Sequence, residues 1–188
     1  MNHSINRFFD KSECDEIIKF ALEQGVPFSY KEEEKKSWDC RRIYDDNFKE
    51  KIINKFTKLD NEDNLKLWLN FKDFNIRDVN VSLTRYYDGR FLELHKDSTS
   101  QLTTVIVLTE DFNDGRFILS NSLVNLDYSN PIGVDIIDVS MGHGISFDGS
   151  KTFHGVLPVK TGLRCALNVW MTNTEFKYNH TSQRKSII

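Results

Sequence analysis

The sequence is short of the features that mark several large classes of protein. Its 188 residues contain three prolines, three cysteines and nine glycines, which excludes collagen-like chains and disulfide-stapled secreted domains. No apolar run approaches the roughly 20 residues of a membrane-spanning helix, and residues 1–16 lack the apolar core of a signal peptide. The net charge of −3 leaves no basic surface of the kind that binds nucleic acid. We therefore expect a cytoplasmic protein with neither a nucleic-acid nor a membrane partner.

What is present suits one globular domain. Hydrophobic residues make up 39% of the chain and charged residues 28%, which is enough to bury a core without metal or disulfide staples. The cysteines, Cys14, Cys40 and Cys165, are odd in number and lack metal-type spacing, so we expect reduced thiols. Nothing in the composition indicates an oligomeric state.

Helical periodicity dominates the first part of the chain. Apolar residues recur at helical spacing between Ser12 and Gly25, with Ser12 and Asp15 as a predicted capping box and Gly25 as the stop. Two further helical patterns run over residues 48–56 and 65–71.

Two segments have no clear period. Residues 28–45 are rich in charge and include Trp38 and Tyr44, so we predict a solvated loop or a lid that closes over a substrate. Residues 176–188 are polar, and we predict a frayed tail.

From about residue 77 the period changes to that of strands. Turn residues separate short runs of β-branched and aromatic residues, and the predicted strands are residues 79–86, 91–97, 103–109, 117–119, 123–126, 144–147, 152–159 and 164–172. This pattern predicts a mainly β, α+β fold, a sandwich or jelly roll with N-terminal helices packed on one sheet. One domain would span residues 1–188, with helical support over 1–76 and the jelly-roll core over 77–175.

His95 and Asp97 are the first candidates for chemistry. They lie two apart on a predicted strand, so both side chains face the same side. One imidazole and one carboxylate, joined by a second histidine, make the facial triad of non-haem Fe(II). The pair alone is weak, because a chain with five histidines and many aspartates often contains one by chance, and a solvated surface pair is the alternative.

Distal residues strengthen this interpretation. His154 lies on another predicted strand, and Arg164 follows ten residues later on a strand whose other face is apolar. An arginine turned into a sandwich needs an anion, and a dicarboxylate would match its two-pronged guanidinium. The alternatives are an ion pair between Arg164 and a structural carboxylate, and His143 as the second histidine.

The order of these residues resembles the prolyl 4-hydroxylase branch of the Fe(II)/2-oxoglutarate dioxygenases. The opening helix, residues 9–21, is similar to that branch as well. The motifs that carry the resemblance are Tyr86-x-x-Gly89, His95-x-Asp97, Thr104, Gly115, His154-Gly155, Pro158-Val159 and Gly162-x-Arg164.

The resemblance implies a double-stranded β-helix and a set of site residues. His95, Asp97 and His154 would bind Fe(II), while Arg164 would pair with the distal carboxylate of 2-oxoglutarate. It also implies O2 as a cosubstrate and ascorbate as a possible reductant. Three further residues are expected near the cosubstrate: Tyr86, Thr104 and, unless it is a plain core residue, Trp170.

The resemblance further implies hydroxylation of an unactivated C–H bond, with succinate and CO2 as products. Peptidyl proline in a peptide or protein is the first expectation for the substrate. A free amino acid or other small molecule is the alternative substrate. For the protein as a whole, the alternatives are a catalytically silent binding module and a cupin-type metal protein. Two departures bear on the substrate: Asp114-Gly115-Arg116 replaces a frequent Gly-Gly motif, and Leu108 stands where an aromatic is frequent.

Overall fold

The computed structural model describes residues 3–28, 39–61, 79–97, 100 and 102–172. Within them lie two helices, α1 Lys11–Gln24 and α2 Asp46–Asn61. The strands are β1 His3–Arg7, β2 Val26–Phe28, β3 Asp39–Ile43, β4 Val79–Tyr86, β5 Leu92–His95, β6 Leu102–Val107, β7 Phe112–Asp114, β8 Phe117–Ser120, β9 Asp135–Ile137, β10 His143–Phe147, β11 Phe153–Val156, β12 Val159–Gly162 and β13 Arg164–Met171.

Helix α1 begins two residues earlier than the sequence predicts. Its N-cap is Asp10, whose side chain accepts a hydrogen bond from the Glu13 backbone N–H at 2.9 Å. The Glu13 carboxylate accepts one in return from the Asp10 N–H at 3.0 Å. The predicted box of Ser12 and Asp15 is therefore wrong, although Gly25 does end the helix. Both pairs have the right spacing, and the chain turns into the helix at Asp10.

Helix α2 confirms the pattern predicted over residues 48–56. Asp45 accepts a hydrogen bond from the Phe48 N–H at 2.7 Å at its start, and Phe48, Ile52 and Phe56 are buried along one face. Neither helix of the described residues is long and apolar enough to cross a bilayer.

The strands form two main antiparallel sheets. A major sheet of seven strands has the order β1-β10-β6-β13-β4-β3-β2, and a minor sheet of four has the order β5-β11-β8-β9. Strands β7 and β12 form a separate pair. Together with the two helices they give the mainly β class that the sequence predicts.

Two layers of core hold the sheets in place. Helices α1 and α2 pack on one face of the major sheet, where their apolar stripes meet side chains such as Leu83, Ile106 and Leu167. The other face of the major sheet meets the minor sheet, and Val105 and Phe147 from one pack with Phe117 and Leu119 from the other. A residue on a major-sheet strand therefore points either to the helices or into the sandwich.

Several strands differ from those predicted from the sequence. Residues 123–126 form no strand, because the Ser120 hydroxyl donates to the Ser122 carbonyl at 2.7 Å and turns the chain after β8. The run 152–159 is two strands, broken at Leu157 and Pro158, where proline has no N–H to donate to a ladder. Strands β1, β2, β3, β7 and β9 were not predicted at all, and no predicted strand covers residues 160–162 of β12.

The predicted lid is partly a strand. Residues 39–43 form β3 and pair with β4, from Asp39 opposite Arg85 to Ile43 opposite Val81, so the prediction of an irregular segment is wrong there. Tyr44 follows this strand and is exposed. Residues 29–38, with Trp38, lie outside the described residues, as do the helical pattern at 65–71 and the tail at 176–188.

Candidate metal centre and the buried arginine

Two adjacent strands of the minor sheet bring the histidines together. His95 ends β5 and His154 lies directly opposite it on β11, with ring centroids 4.2 Å apart. Asp97 follows β5 by two residues, and its carboxylate lies 4.0 Å from His95 Nε2 and 3.6 Å from His154 Nε2. One ligand atom from each of the three residues falls within 4.8 Å of the other two. His143 lies outside this group, at the start of β10.

Backbone carbonyls orient both imidazoles. His95 Nδ1 lies 2.9 Å from the Glu93 carbonyl oxygen, and His154 Nδ1 lies 3.1 Å from that of Thr152. A carbonyl only accepts, so each Nδ1 must carry the proton in this contact. Nε2 is then the nitrogen of each ring that a metal ion would bind, and in both residues it lies on the side of Asp97.

The three side chains differ in burial. His95 is 39% exposed at its side chain, Asp97 14% and His154 5%, so the group opens to solvent on the His95 side. Burial lowers the pKa of His154 to about 4, helped by the neighbouring His95 and opposed by the charge of Asp97. His154 is therefore a neutral imidazole at neutral pH, the form that binds a metal.

Two contacts that the sequence did not predict fix Asp97. The Thr103 hydroxyl donates to Asp97 Oδ2 at 2.5 Å, and the Asp97 backbone N–H donates to the Gly149 carbonyl at 3.0 Å. Both partners are buried. The turn signal at residues 148–150 was visible in the sequence, but its contact with Asp97 depends on the sandwich.

Arg164 is buried without a complete set of partners. Its relative exposure is 1%, and its Nη1 has no hydrogen-bond partner among the described residues. Tyr86 lies directly opposite on β4, and the guanidinium carbon is 5.5 Å from the centre of its ring. Burial lowers the pKa of Arg164 and raises that of Tyr86 to about 12. Tyr86 thus keeps its proton and can donate, like Arg164, to an anion.

A cavity of about 470 Å³ reaches Arg164 at the end of the sandwich formed by β6, β8 and the β7–β12 pair. Gly115, at φ +70°, leaves room there, because a Cβ on it would lie 2.7 Å from Val159 Cγ2 and 3.1 Å from Arg164 Cδ. The cavity wall does not include the histidines or Asp97. Its other lining residues are Val107, Phe112, Asn113, Asp114, Arg116, Phe117, Asp138, Val139, Ser140 and Lys160.

Thr104, which was expected near the cosubstrate, faces the helices. Thr104 pairs in register with Ser146 and their hydroxyls are 2.8 Å apart, between Leu102 and Ile106 on the helix side of β6. Leu108 is also buried on that side. The expectation that Thr104 lines the pocket does not fit this placement, and the residues of β6 that point into the sandwich are Thr103, Val105 and Val107.

Trp170 lies on the sandwich face of β13, as predicted, but at the far end from Arg164. Six strand residues span about 20 Å, so Trp170 is not part of the wall around the guanidinium. It pairs in register with Thr103 and is partly exposed. Trp170 therefore stands near the metal-ligand group and not in a closed core.

The donor set fits a specific kind of ligand pair. Two neutral imidazoles and one carboxylate are the facial set of non-haem Fe(II) sites, which leaves other positions open. A buried guanidinium with an orphaned Nη1, beside a tyrosine hydroxyl, fits the carboxylate of a small dicarboxylic acid. The class defined by fold and site is thus a β-sandwich with a two-histidine, one-carboxylate group and a separate anion anchor.

Solved structures with a similar fold include several prolyl hydroxylases. The viral collagen prolyl hydroxylase of Paramecium bursaria Chlorella virus 1, in its 2OG complex, has a TM-score of 0.63 at 18% identity, over 93% of this chain and 97% of that one. A prolyl-4-hydroxylase of Pseudomonas putida has a TM-score of 0.62 at 17% identity, over 90% and 92%.

A third structure was solved with a peptide. The prolyl hydroxylase of Trichoplax adhaerens, in complex with a hypoxia-inducible-factor peptide fragment, has a TM-score of 0.60 at 16% identity, over 91% of this chain and 83% of that one. No protein-family model matches the sequence, and no curated protein matches it. At such identities the similarity shows the fold, and for the fold it confirms the resemblance to the prolyl 4-hydroxylase-like oxygenases.

Proposed function

We propose that the protein is an Fe(II)- and 2-oxoglutarate-dependent dioxygenase with the double-stranded β-helix of that class. The observation that carries the proposal is the group of His95, Asp97 and His154, with both Nε2 atoms turned to one point. The orphaned guanidinium of Arg164 supports it independently. A silent binding module would have no need of both features, and a cupin-type site would not need the arginine.

Two groups of residues would bind the iron and the 2-oxoglutarate. His95, Asp97 and His154 would hold the iron, and Arg164 with Tyr86 would bind the distal carboxylate of 2-oxoglutarate. Bound iron, with 2-oxoglutarate and O2, supplies the oxidation that hydroxylates a C–H bond and yields succinate and CO2. The apolar wall of Phe117 and Phe147 beside His154 keeps water away from this chemistry.

The first expectation for the substrate is a proline in a peptide or protein. Three similar structures are named as prolyl hydroxylases, and one of them holds a peptide. In this chain the metal-ligand group opens to solvent beside His95, and the partly exposed Trp170 stands next to Thr103 at the same end. We place the substrate at this mouth, where an aromatic face can pack on a proline ring. A free amino acid or other small molecule is the alternative substrate.

The decisive experiment is anaerobic addition of Fe(II) and then 2-oxoglutarate to the purified protein. We expect the weak visible charge-transfer band of the iron chelate in the wild type and none in His95→Ala. Arg164→Ala should need at least tenfold more 2-oxoglutarate for half of the band. His143→Ala is the matched control, since it removes a histidine outside the group, and its band should equal that of the wild type.

The opposite result would remove the proposal. A folded, metal-loaded wild type without the band, or a band that survives His95→Ala, is incompatible with this site. If the band forms, succinate release with ascorbate present, measured on proline peptides and on free amino acids, will separate the two substrate classes.

A further inference from the structure

Asp97 is held at two points, once at its carboxylate and once at its backbone. On one side the Thr103 hydroxyl, on β6 of the major sheet, donates to Oδ2 at 2.5 Å. On the other side Gly149, in the turn between β10 and β11, accepts the Asp97 backbone N–H at 3.0 Å. The aspartate follows a minor-sheet strand, so these contacts tie one ligand of the group to the opposite sheet.

Proton counting sets the direction of the Thr103 contact. A hydroxyl carries one proton, and an ionised carboxylate can only accept. The Thr103 proton therefore goes to Asp97, while the nearby Ser100 hydroxyl, 3.0 Å from Thr103 Oγ1, donates to the Leu102 carbonyl at 2.6 Å. Thr103 is 1% exposed, so water does not compete for this contact.

The two oxygens of Asp97 are thereby distinguished. Oδ2 accepts the Thr103 hydroxyl and lies 3.6 Å from His154 Nε2, whereas Oδ1 has no hydrogen-bond donor among the described residues and lies 4.0 Å from His95 Nε2. A hydrogen bond from a neighbouring side chain orients a carboxylate ligand and limits the rotamers it can adopt.

Gly149 completes the arrangement because nothing larger fits. A Cβ at this position would lie 2.1 Å from Thr103 Oγ1 and 2.6 Å from Asp97 Oδ2. The turn itself is held by Asp148, which accepts hydrogen bonds from the Ser150 N–H at 3.1 Å and the Ser150 hydroxyl at 2.7 Å. Any side chain at 149 would push directly on the hydroxyl–carboxylate pair.

We infer that Thr103 is a positioning residue of the metal centre, which with Gly149 holds Asp97 in the rotamer that places its carboxylate beside both histidine Nε2 atoms. The inference rests on the proposed function, since it concerns the same three ligands. Thr103 does not touch the ion or the substrate. It acts by fixing the rotamer of the ligand that the sequence places on a short segment after β5.

The neighbouring residue gives a matched control. Thr104 is also a buried threonine of β6, and its hydroxyl is also hydrogen-bonded, to Ser146, but on the helix side of the sheet. Thr103→Val and Thr104→Val thus remove the same atom from adjacent positions of one strand. Both should cost the fold a similar amount, and only the first should affect the metal.

The test is a titration of metal-free protein with Co(II), followed by calorimetry and by the visible Co(II) absorption. We expect Thr103→Val to bind Co(II) about 10- to 100-fold more weakly and to change the absorption spectrum. Thr103→Ser keeps the hydroxyl, so its affinity for Co(II) should stay within about threefold of the wild-type affinity. Thr104→Val should bind Co(II) as tightly as the wild type. Gly149→Ala should weaken binding in the same direction as Thr103→Val.

The outcomes are distinguishable. If the wild type binds Co(II) through the three ligands but Thr103→Val binds equally well with an unchanged spectrum, Thr103 has no positioning role. Equal losses in Thr103→Val and Thr104→Val would mean a general effect of stability and would also overturn the inference. If the wild type binds no divalent ion, the proposed function fails first. Thr103→Ala gives the same comparison if the valine variant does not fold.

Discussion

A buried guanidinium lowers the stability of a folded protein unless an anion meets it. Arg164 is 1% exposed, and the described residues provide Tyr86 as a ring neighbour but no partner for Nη1. The position of Arg164 therefore suits an anionic ligand, and the fold is less stable when no anion pairs with the guanidinium.

Replacing Arg164 by methionine should separate stability from binding. Methionine is flexible, apolar and of similar length, so it can fill the space without an orphaned polar atom. We expect Arg164→Met without ligands to be as stable as the wild type or more stable, by about 1–3 kcal/mol. With Mn(II) present, 2-oxoglutarate should raise the melting temperature of the wild type but not that of Arg164→Met.

Arg164→Ala is the control for size, because it leaves a cavity and should be less stable than either protein. A clear loss of stability in Arg164→Met, measured by thermal unfolding without ligand, would mean that the guanidinium already has a stabilising partner.

Residues on β6 show where the sequence is uninformative. Every residue of this strand from Leu102 to Val107 is buried, because helices cover one face of the sheet and the minor sheet covers the other. No polar alternation marks the inner face. The resemblance placed Thr104 near the cosubstrate, but Thr104 faces the helices, and the residues of β6 that point into the sandwich are Thr103, Val105 and Val107.

At the scale of elements, the sequence predicted best where local pattern and packing agree. Strands β4 and β13 were predicted near their observed bounds, and Arg164 lies on the face deduced for it. Helix α2 likewise matches its apolar stripe. His95, Asp97 and His154 could be selected because their spacing and order are specific, and the structure brings their ligand atoms together.

Short strands with distant partners were missed. Strand β1 has alternate exposure and pairs with β10, with His3 opposite Phe147. Strand β3 lies next to β4, although about 40 residues separate them in the chain. Such strands are stabilised by a neighbour that no local window contains.

The N-terminus of α1 offers a test at this scale, since two capping boxes were possible. We expect Asp10→Ala to lower the free energy of unfolding by about 1 kcal/mol, because the Glu13 N–H loses its acceptor. Ser12→Ala, at the cap predicted from sequence, should change it by less than about 0.5 kcal/mol. Urea unfolding measures both, and the reverse order would place the cap at Ser12.

At the scale of the whole molecule, the histidines proposed to bind iron and the residues proposed to bind 2-oxoglutarate lie on different sheets. His95 and His154 lie on the minor sheet, whereas Arg164 and Tyr86 lie opposite one another on the major sheet. A ligand that binds the iron at one end and the arginine at the other would cross-link the two layers of the sandwich.

Hydrogen exchange should report this cross-link. We expect metal alone to slow amide exchange mainly in β5 and β11. Adding 2-oxoglutarate should extend the protection to the ends of β4 and β13 near Tyr86 and Arg164, by up to about 100-fold at 100 times its dissociation constant. In Arg164→Ala the second step should be absent. Equal protection of β13 in that variant would show that the cosubstrate is anchored elsewhere.

The pairing of β4 with β13 also bears on how the chain is made. Tyr86 ends β4 and Arg164 begins β13, yet the two residues are register partners. At a synthesis rate of about 5–20 residues per second, roughly 4–16 s pass between the synthesis of Tyr86 and that of Arg164. The edge of β4 that pairs with β13 has no partner during this interval. During that time an apolar strand with unpaired backbone groups is open to wrong neighbours. Newly made chains are thus most vulnerable to aggregation just before β13 emerges.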